Sequence, residues 1–274
     1  MNARRRELAY AGPMTTGTES ARLRLKRPPV RQVRLSLVFR ADPPIRSHHV
    51  AALIPKWRVL FDSVDESPPR VEAPDDPENC EDLVYFDGSQ LWPIPYTQFR
   101  SANRTVAFQG DRFEVIWDAT AEDGRYVGFD KLRGDLLRDF GDFADTLSRD
   151  GIQLDVRYVE CYYVNRLPEI SAEQLVTGIL TNWTATASST VVKSDYVGMR
   201  LHPQFDEVGR KHCAAVVMVD AMRDNETQLS FLVKRDLLIP KTWDRSLREA
   251  HDHLIALFIQ YTNDSLRESW GHGA

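Results

Sequence analysis

Two long amphipathic helices, each set after a run of alternating strands, most strongly limit how this chain can fold. Phe129, Leu132, Leu136, Phe140, Phe143 and Leu147 recur every three or four residues, while Asp130, Arg133, Asp135, Arg138 and Asp139 fill the opposite face. That spacing is one apolar stripe of an α-helix, and it stops near Gly151. Trp243, Leu247, Ala250, Leu254, Leu257, Phe258 and Tyr261 draw a second stripe, in a helix expected over about 243–269. Stripes this wide must be buried against another layer, and the intervening strands supply it.

The strands read clearly. Val33, Leu35, Leu37 and Phe39 alternate with Arg34, Ser36 and Val38 behind the paired Pro28 and Pro29, the signature of a strand with one buried face. Residues 47–61 look helical around Val50, Leu53 and Trp57, with Ser47 as N-cap and Pro55 as a break. The acidic, Pro-rich stretch 62–90 reads as a surface loop. Strands at 103–109 and 112–118 flank Gly110 and Asp111, a hairpin signal. After the first long helix the order returns. A strand over 156–167 leads to a helix over 171–183 capped by Ser171, then to strands near 195–201, 212–222 and 228–235.

Both halves thus run strand, helix, antiparallel strands, long helix, and the long helices open alike with "FDKL" and "WDRS". The expected fold is α+β and pseudo-duplicated. Each half lays its long helix across a curved antiparallel sheet in the helix-grip manner, and the halves join edge to edge into a saddle-like sheet. The expected division is a basic, disordered tail over 1–26, a first half over 27–152 and a second over 153–274. Translation starting at Met14 would shorten the tail.

Composition narrows the function classes. Hydrophobic residues are 42% and charged residues 27%, with a net charge of -5, as in an ordinary globular chain. An acidic chain whose strands mix Arg34, Arg104, Arg112, Arg157, Lys193 and Arg200 with Glu114, Asp118, Glu160 and Asp195 argues against a nucleic-acid grip. No apolar run approaches the roughly 20 residues that span a bilayer. The N-terminus has no apolar core of a secretory signal. Three cysteines, with Cys161 and Cys213 in apolar strands, fit core packing in a reduced cytoplasmic compartment.

The motifs of cofactor and metal chemistry are missing. No GxGxxG, Walker or GxSxG sequence occurs. His251 and His253 diverge by about 200° on a helix, so neither a metal nor a cofactor is expected. Cys161 or Cys213 could meet only a distant histidine. Glu114, Glu160 and Asp220 sit in strands, and acid–base chemistry would need them to converge.

Glu160 stands out in "VRYVECYYVNRLP", residues 156–168, a strand apolar on both faces. A buried carboxylate there is expensive unless it is paired. Arg200 or Arg112 on a neighbouring strand would pair it; an open concavity or a ligand are the alternatives. Asn165 lies near the strand end, where its side chain suits a bond to the backbone of the turn before Pro168. His251 lies near the apolar stripe of the second long helix, where it can meet the sheet or a polar ligand; Glu160 or Tyr162 are its expected partners if the helix packs there.

The order "RPPVRQVRLSLVF", "RTVAFQGDRFEVIWD", "VECYYVNRLP", "VVMVDAM" and "LREAHDHLIALFIQYTNDSLRESWG" resembles a sporadically distributed bacterial family of uncharacterised proteins of about this length. The matching positions are Pro28 and Pro29, Gln109, Trp117, Tyr163, Val164, Asn165, His251, Phe258 and Gly271, over roughly 27–271. The chain departs from the pattern at Ile116, where the family shows Asn. The resemblance implies no cofactor or reaction. Its patchy distribution implies an accessory role, such as antiviral phage defence or a toxin-linked operon.

The function expected from all this is recognition by a non-catalytic binding or interaction protein. The occupant is a protein partner or a small ligand between sheet and long helix, and Glu160, Tyr162, Asn165, His251, Trp117 and Arg112 are the candidate contacts. A ligand sensor or enzyme using Glu160 and His251, or a nucleic-acid-binding regulator, are the alternatives. Nothing in the sequence fixes the oligomeric state.

Overall fold

The computed structural model describes residues 23, 25–70, 94–119, 125–168, 170–181, 197–203, 213–222, 226–237 and 242–272. Among them the chain forms a mixed α/β fold, with one nine-stranded antiparallel sheet and six helices. The elements of the first part are β1 (Val30–Asp42), α1 (Ser47–Val50), α2 (Leu53–Arg58), β2 (Ser63–Ser67), β3 (Tyr96–Ser101), β4 (Arg104–Gln109), β5 (Arg112–Asp118) and α3 (Phe129–Arg149). Then come β6 (Gln153–Leu167), α4 (Ala172–Leu180), β7 (Gly198–Leu201), β8 (Cys213–Ala221), β9 (Thr227–Asp236), α5 (Trp243–Gln260) and α6 (Asp264–Ser269). The sheet order is β2-β3-β4-β5-β1-β6-β9-β8-β7.

The two longest strands, β1 and β6, pair at the middle, and their alternation separates the two faces of the sheet. Phe99, Val106, Val115, Leu35, Cys161, Val233 and Ala215 lie across from one another in a single row. All are buried. The helices cover this face: α3 packs on β5, β1 and β6, α5 on β6 and β9, and α4 on β8 and β7. One row away, on the other face, lie Gln98, Ala107, Glu114, Ser36, Glu160, Lys234 and Ala214.

Several local expectations hold. The stripe of α3 is buried at Leu132, Leu136, Phe140, Phe143 and Leu147. Ser171 caps α4, accepting from Gln174 N–H at 3.2 Å while Gln174 Oε1 accepts from Ser171 N–H at 3.0 Å. β4 and β5 form the expected hairpin.

Others are corrected. Arg46, not Ser47, is the N-cap of α1; His49 Nδ1 accepts its N–H at 3.0 Å. The helical stretch breaks at Ala51 and Ala52, so Pro55 falls in the first turn of α2, where a missing N–H is harmless. Ser63–Ser67 of the expected loop is an edge strand on β3. The part of that loop beyond residue 70 lies outside the described residues, as do Trp183, Lys193, and residues 1–22 and 24 of the tail. The last helix is two: α5 ends at Gln260, and Asn263 caps α6 by accepting from Leu266 N–H at 2.9 Å. Arg267 then reaches back to the carbonyls of Ile259 and Thr262, filling acceptors that the end of α5 leaves open.

Asp135 and Asp139 were expected on the solvent face of α3, yet both are buried. Arg104 of β4 reaches under the helix to pair with them. Lys131 Nζ and Arg138 Nη1 close on Asp135 at 2.7 and 2.9 Å. Burial alone would raise the Asp135 pKa. The bond from Lys131 and the charges of Arg104, Lys131 and Arg138 outweigh it and hold the carboxyl below its ordinary value.

Candidate functional site

Alternation along β6 decides what its polar residues can do. Val159, Cys161, Tyr163 and Asn165 point under the helices; Tyr158, Glu160, Tyr162 and Val164 point to the other face. Of the six candidate contacts, Asn165 and His251 come together. Glu160, Tyr162 and Arg112 are separated from them by the sheet itself.

On the helix side lies a cavity of about 770 Å³. The segment before β1 forms one wall through Leu23, Leu25, Pro28 and Pro29. Tyr163 and Asn165 of β6 are its floor, and α5 closes it with His251, Leu254, Ile255 and Phe258. The turn into α3 adds Tyr126, Gly128, Phe129 and Asp130, while Arg248 and Asp252 also line it. The His251 ring lies flat on Phe129, with centroids 3.9 Å apart and planes within 10°. Tyr163 is 5.9 Å from it on the other side, and Asp252 carries a carboxylate oxygen 3.8 Å from Nδ1.

The polar groups of this cavity are few and fixed. The Tyr126 and Tyr163 hydroxyls share a hydrogen bond of 2.6 Å. Burial pushes both phenols well above their ordinary range, so both stay protonated and one hydroxyl proton remains to be offered. Asn165 donates to Leu229 O at 3.1 Å, not to the turn before Pro168, so its amide is oriented by the neighbouring strand β9. Trp117 does not line the cavity; it stands edge-on behind Tyr126, centroids 5.3 Å apart, and its buried Nε1 has no hydrogen-bond partner. Across the top, Arg133 of α3 pairs with Asp244 of α5 at 2.9 Å and ties the two long helices.

The other sheet face carries a second polar cluster. Glu114 is fully buried there. Tyr96 donates to its Oε2 at 2.6 Å and Ser36 to its Oε1 at 3.1 Å. Arg70, Arg34 and Arg112 approach it at 3.3, 3.6 and 3.7 Å. Burial, followed by the Glu114 charge, pushes the Tyr96 phenol up and keeps it a donor. Glu160 stands on the far side of Ser36, and Lys234 of β9 pairs with it at 3.5 Å. Lys234 is thus a partner for Glu160 that was not among those expected, and Arg200 lies out on the edge strand β7. Arg34 also lies over the Tyr162 ring, 5.0 Å from its centroid. Asp220 shares this face but sits six residues along β8 from Ala214, which faces Lys234. That is about 20 Å along a strand, so the three strand carboxylates do not converge.

The expected contact of His251 with Glu160 or Tyr162 is corrected by the same alternation. Its partners are Phe129 and Tyr163, and a single concavity holding both Glu160 and His251 does not exist in this fold. The strand cations are also largely committed to carboxylates. Arg104 is held by Asp135 and Asp139, Arg157 by Asp155, and Arg34 and Arg112 by Glu114.

Tyr126 and Arg248 were not among the candidates. Tyr126 lies in an irregular connection with no period to read, and Arg248 looks like any solvent-facing charge of an amphipathic helix. Comparison with protein-family models and with the curated proteins finds no match. The resemblance therefore rests on the quoted motifs, and among these Pro28, Pro29, Tyr163, Asn165, His251 and Phe258 all line this cavity.

Proposed function

We propose that this chain is a non-catalytic binding protein that holds a small ligand in the cavity between β6 and α5. The observation that carries the reading is the convergence there of Pro28, Pro29, Tyr163, Asn165, His251 and Phe258, residues spread over most of the sequence. The volume of about 770 Å³ suits a small organic molecule, and mostly apolar walls with a few fixed polar groups are what such sites use. His251, the Tyr126–Tyr163 hydroxyl pair and Asn165 would orient the polar end. Arg248 favours an anionic group at the rim.

The fold proposed for this role is a duplicated helix grip. The pairing of β1 with β6 at the centre supports it, as does the shared plan of strand, helical segment, antiparallel strands and long helix on each side, ending in α3 on one and α5 on the other. The ligand would sit where the second grip meets the turn into the first long helix, so that occupancy bears on both halves. In an accessory bacterial system this arrangement would serve as a sensing element.

Titration with the dye anilinonaphthalene sulfonate tests the site. Saturable one-to-one binding is expected, weakened at least roughly tenfold in Ile255→Trp, which fills the cavity. Equal binding by both proteins would move the site elsewhere.

A further inference from the structure

A second constellation lies away from the cavity, at the other side of α5. Cys213 opens β8 and, unlike Cys161, is only partly buried. Its Sγ is 3.4 Å from Nδ1 of His253, which is also partly exposed. From the sequence, Cys213 was expected in the core, with only a distant histidine to meet. That histidine is His253, since the two α5 histidines diverge: one ring turns to Phe129, the other to Cys213, which is only partly buried. Arg235 stands directly across from Cys213 on β9. Its guanidinium lies 2.5 Å from Glu249, one turn before His253 on α5. α4, the other helix on β8, carries one charged residue, Glu173.

We propose that Cys213 and His253 form a reactive thiol–imidazole pair, a covalent modification site for soft two-electron electrophiles such as hydroperoxides. A thiol within hydrogen-bond reach of an imidazole can pass it the proton, and the imidazolium so formed favours the thiolate. In the reaction the thiolate attacks the peroxide. An S–O bond forms as the O–O bond breaks, sulfur is oxidised by two electrons, and the peroxide is reduced. The departing alkoxide, or hydroxide from hydrogen peroxide itself, takes the proton from the His253 imidazolium and leaves as an alcohol or as water, with a sulfenic acid on Cys213. Partial exposure gives a small electrophile access to the sulfur. Cys161 serves as the internal contrast: it is fully buried, and burial, followed by the charge of Asp252, pushes its thiol up.

The test is the pH–rate profile of iodoacetamide labelling of the full chain, resolved by peptide mass spectrometry. The sulfur displaces iodide from carbon, so the rate follows the thiolate. Cys213 is expected to reach half its plateau rate at least a full pH unit below the value of about 8.5 for a free cysteine, while Cys161 stays unlabelled. His253→Gln should bring the midpoint back to that value and slow labelling at neutral pH roughly tenfold. A wild-type midpoint at or above the free value would overturn the proposal without any variant. So would an unchanged profile in a folded His253→Gln protein.

Discussion

His251 of α5 and Phe129 at the start of α3 lie face to face, 3.9 Å between ring centroids. This contact joins the two long helices over the cavity, next to the Arg133–Asp244 pair that ties them on the surface. It also fixes the imidazole that lines the cavity. His251→Ala is therefore expected to lower stability by about 1 kcal/mol, the worth of a stacked aromatic pair. His251→Phe should keep that stability and still weaken binding of the dye. Urea denaturation of the two variants, read beside dye affinity, separates the packing role from the recognition role.

Glu114 is buried whole among Arg34, Arg70 and Arg112, with Tyr96 and Ser36 donating to it. Glu114→Gln keeps the shape but leaves buried guanidinium charge uncompensated, so a loss of about 3–5 kcal/mol is expected. Glu160→Gln should cost less, because Lys234 is part-exposed and can turn to water. Denaturant midpoints for the pair give the ranking; the reverse order would show that Glu160, and not Glu114, anchors this face.

Gly271 ends α6 at a φ of +84°, with its N–H on Glu268 O and the His272 N–H on Arg267 O. That is a Schellman cap, which favours glycine. A Cβ there would stand 2.9 Å from Lys26 Cβ, where the leading segment crosses and Arg27 N–H bonds to Trp270 O. Gly271→Ala is expected to cost about 1–2 kcal/mol and to loosen that segment. Amide exchange should speed up over residues 25–27, which lead into the cavity wall, before it does in β1.

Much of this architecture was legible from periodicity. The α3 and α5 stripes and the central strands β1 and β6 have long, strict patterns that leave one solution. β2 was lost because "SVDES" is an exposed edge strand, whose pairing is made by backbone and leaves no apolar alternation. The break between α5 and α6 hid inside a continuous apolar stripe, since Phe258, Tyr261 and Trp270 keep packing across it. Asn165 and His251 were found because polar groups in apolar elements are conspicuous. Glu160 was equally conspicuous, and strand alternation put it on the opposite face, where it answers to Lys234.

The Asp135 carboxyl titrates below its ordinary value in the folded chain. The unfolded chain therefore takes up that proton first as pH falls. The stabilisation is complete above the free carboxyl value of about 4, declines below it, and is gone once the folded carboxyl itself is protonated. Melting temperature should drop over this acid window in the wild type. Asp135→Asn, already lacking the charge, should show a shallower drop there and a lower melting temperature at neutral pH.

The most direct measurement is native mass spectrometry of the full chain taken untreated from its own host, beside Ile255→Trp prepared in the same way. A stoichiometric extra mass of small-molecule size on the wild type, missing from the variant, is the predicted result. A bare wild-type chain, or an extra mass that the filled cavity retains, would contradict a ligand held between β6 and α5.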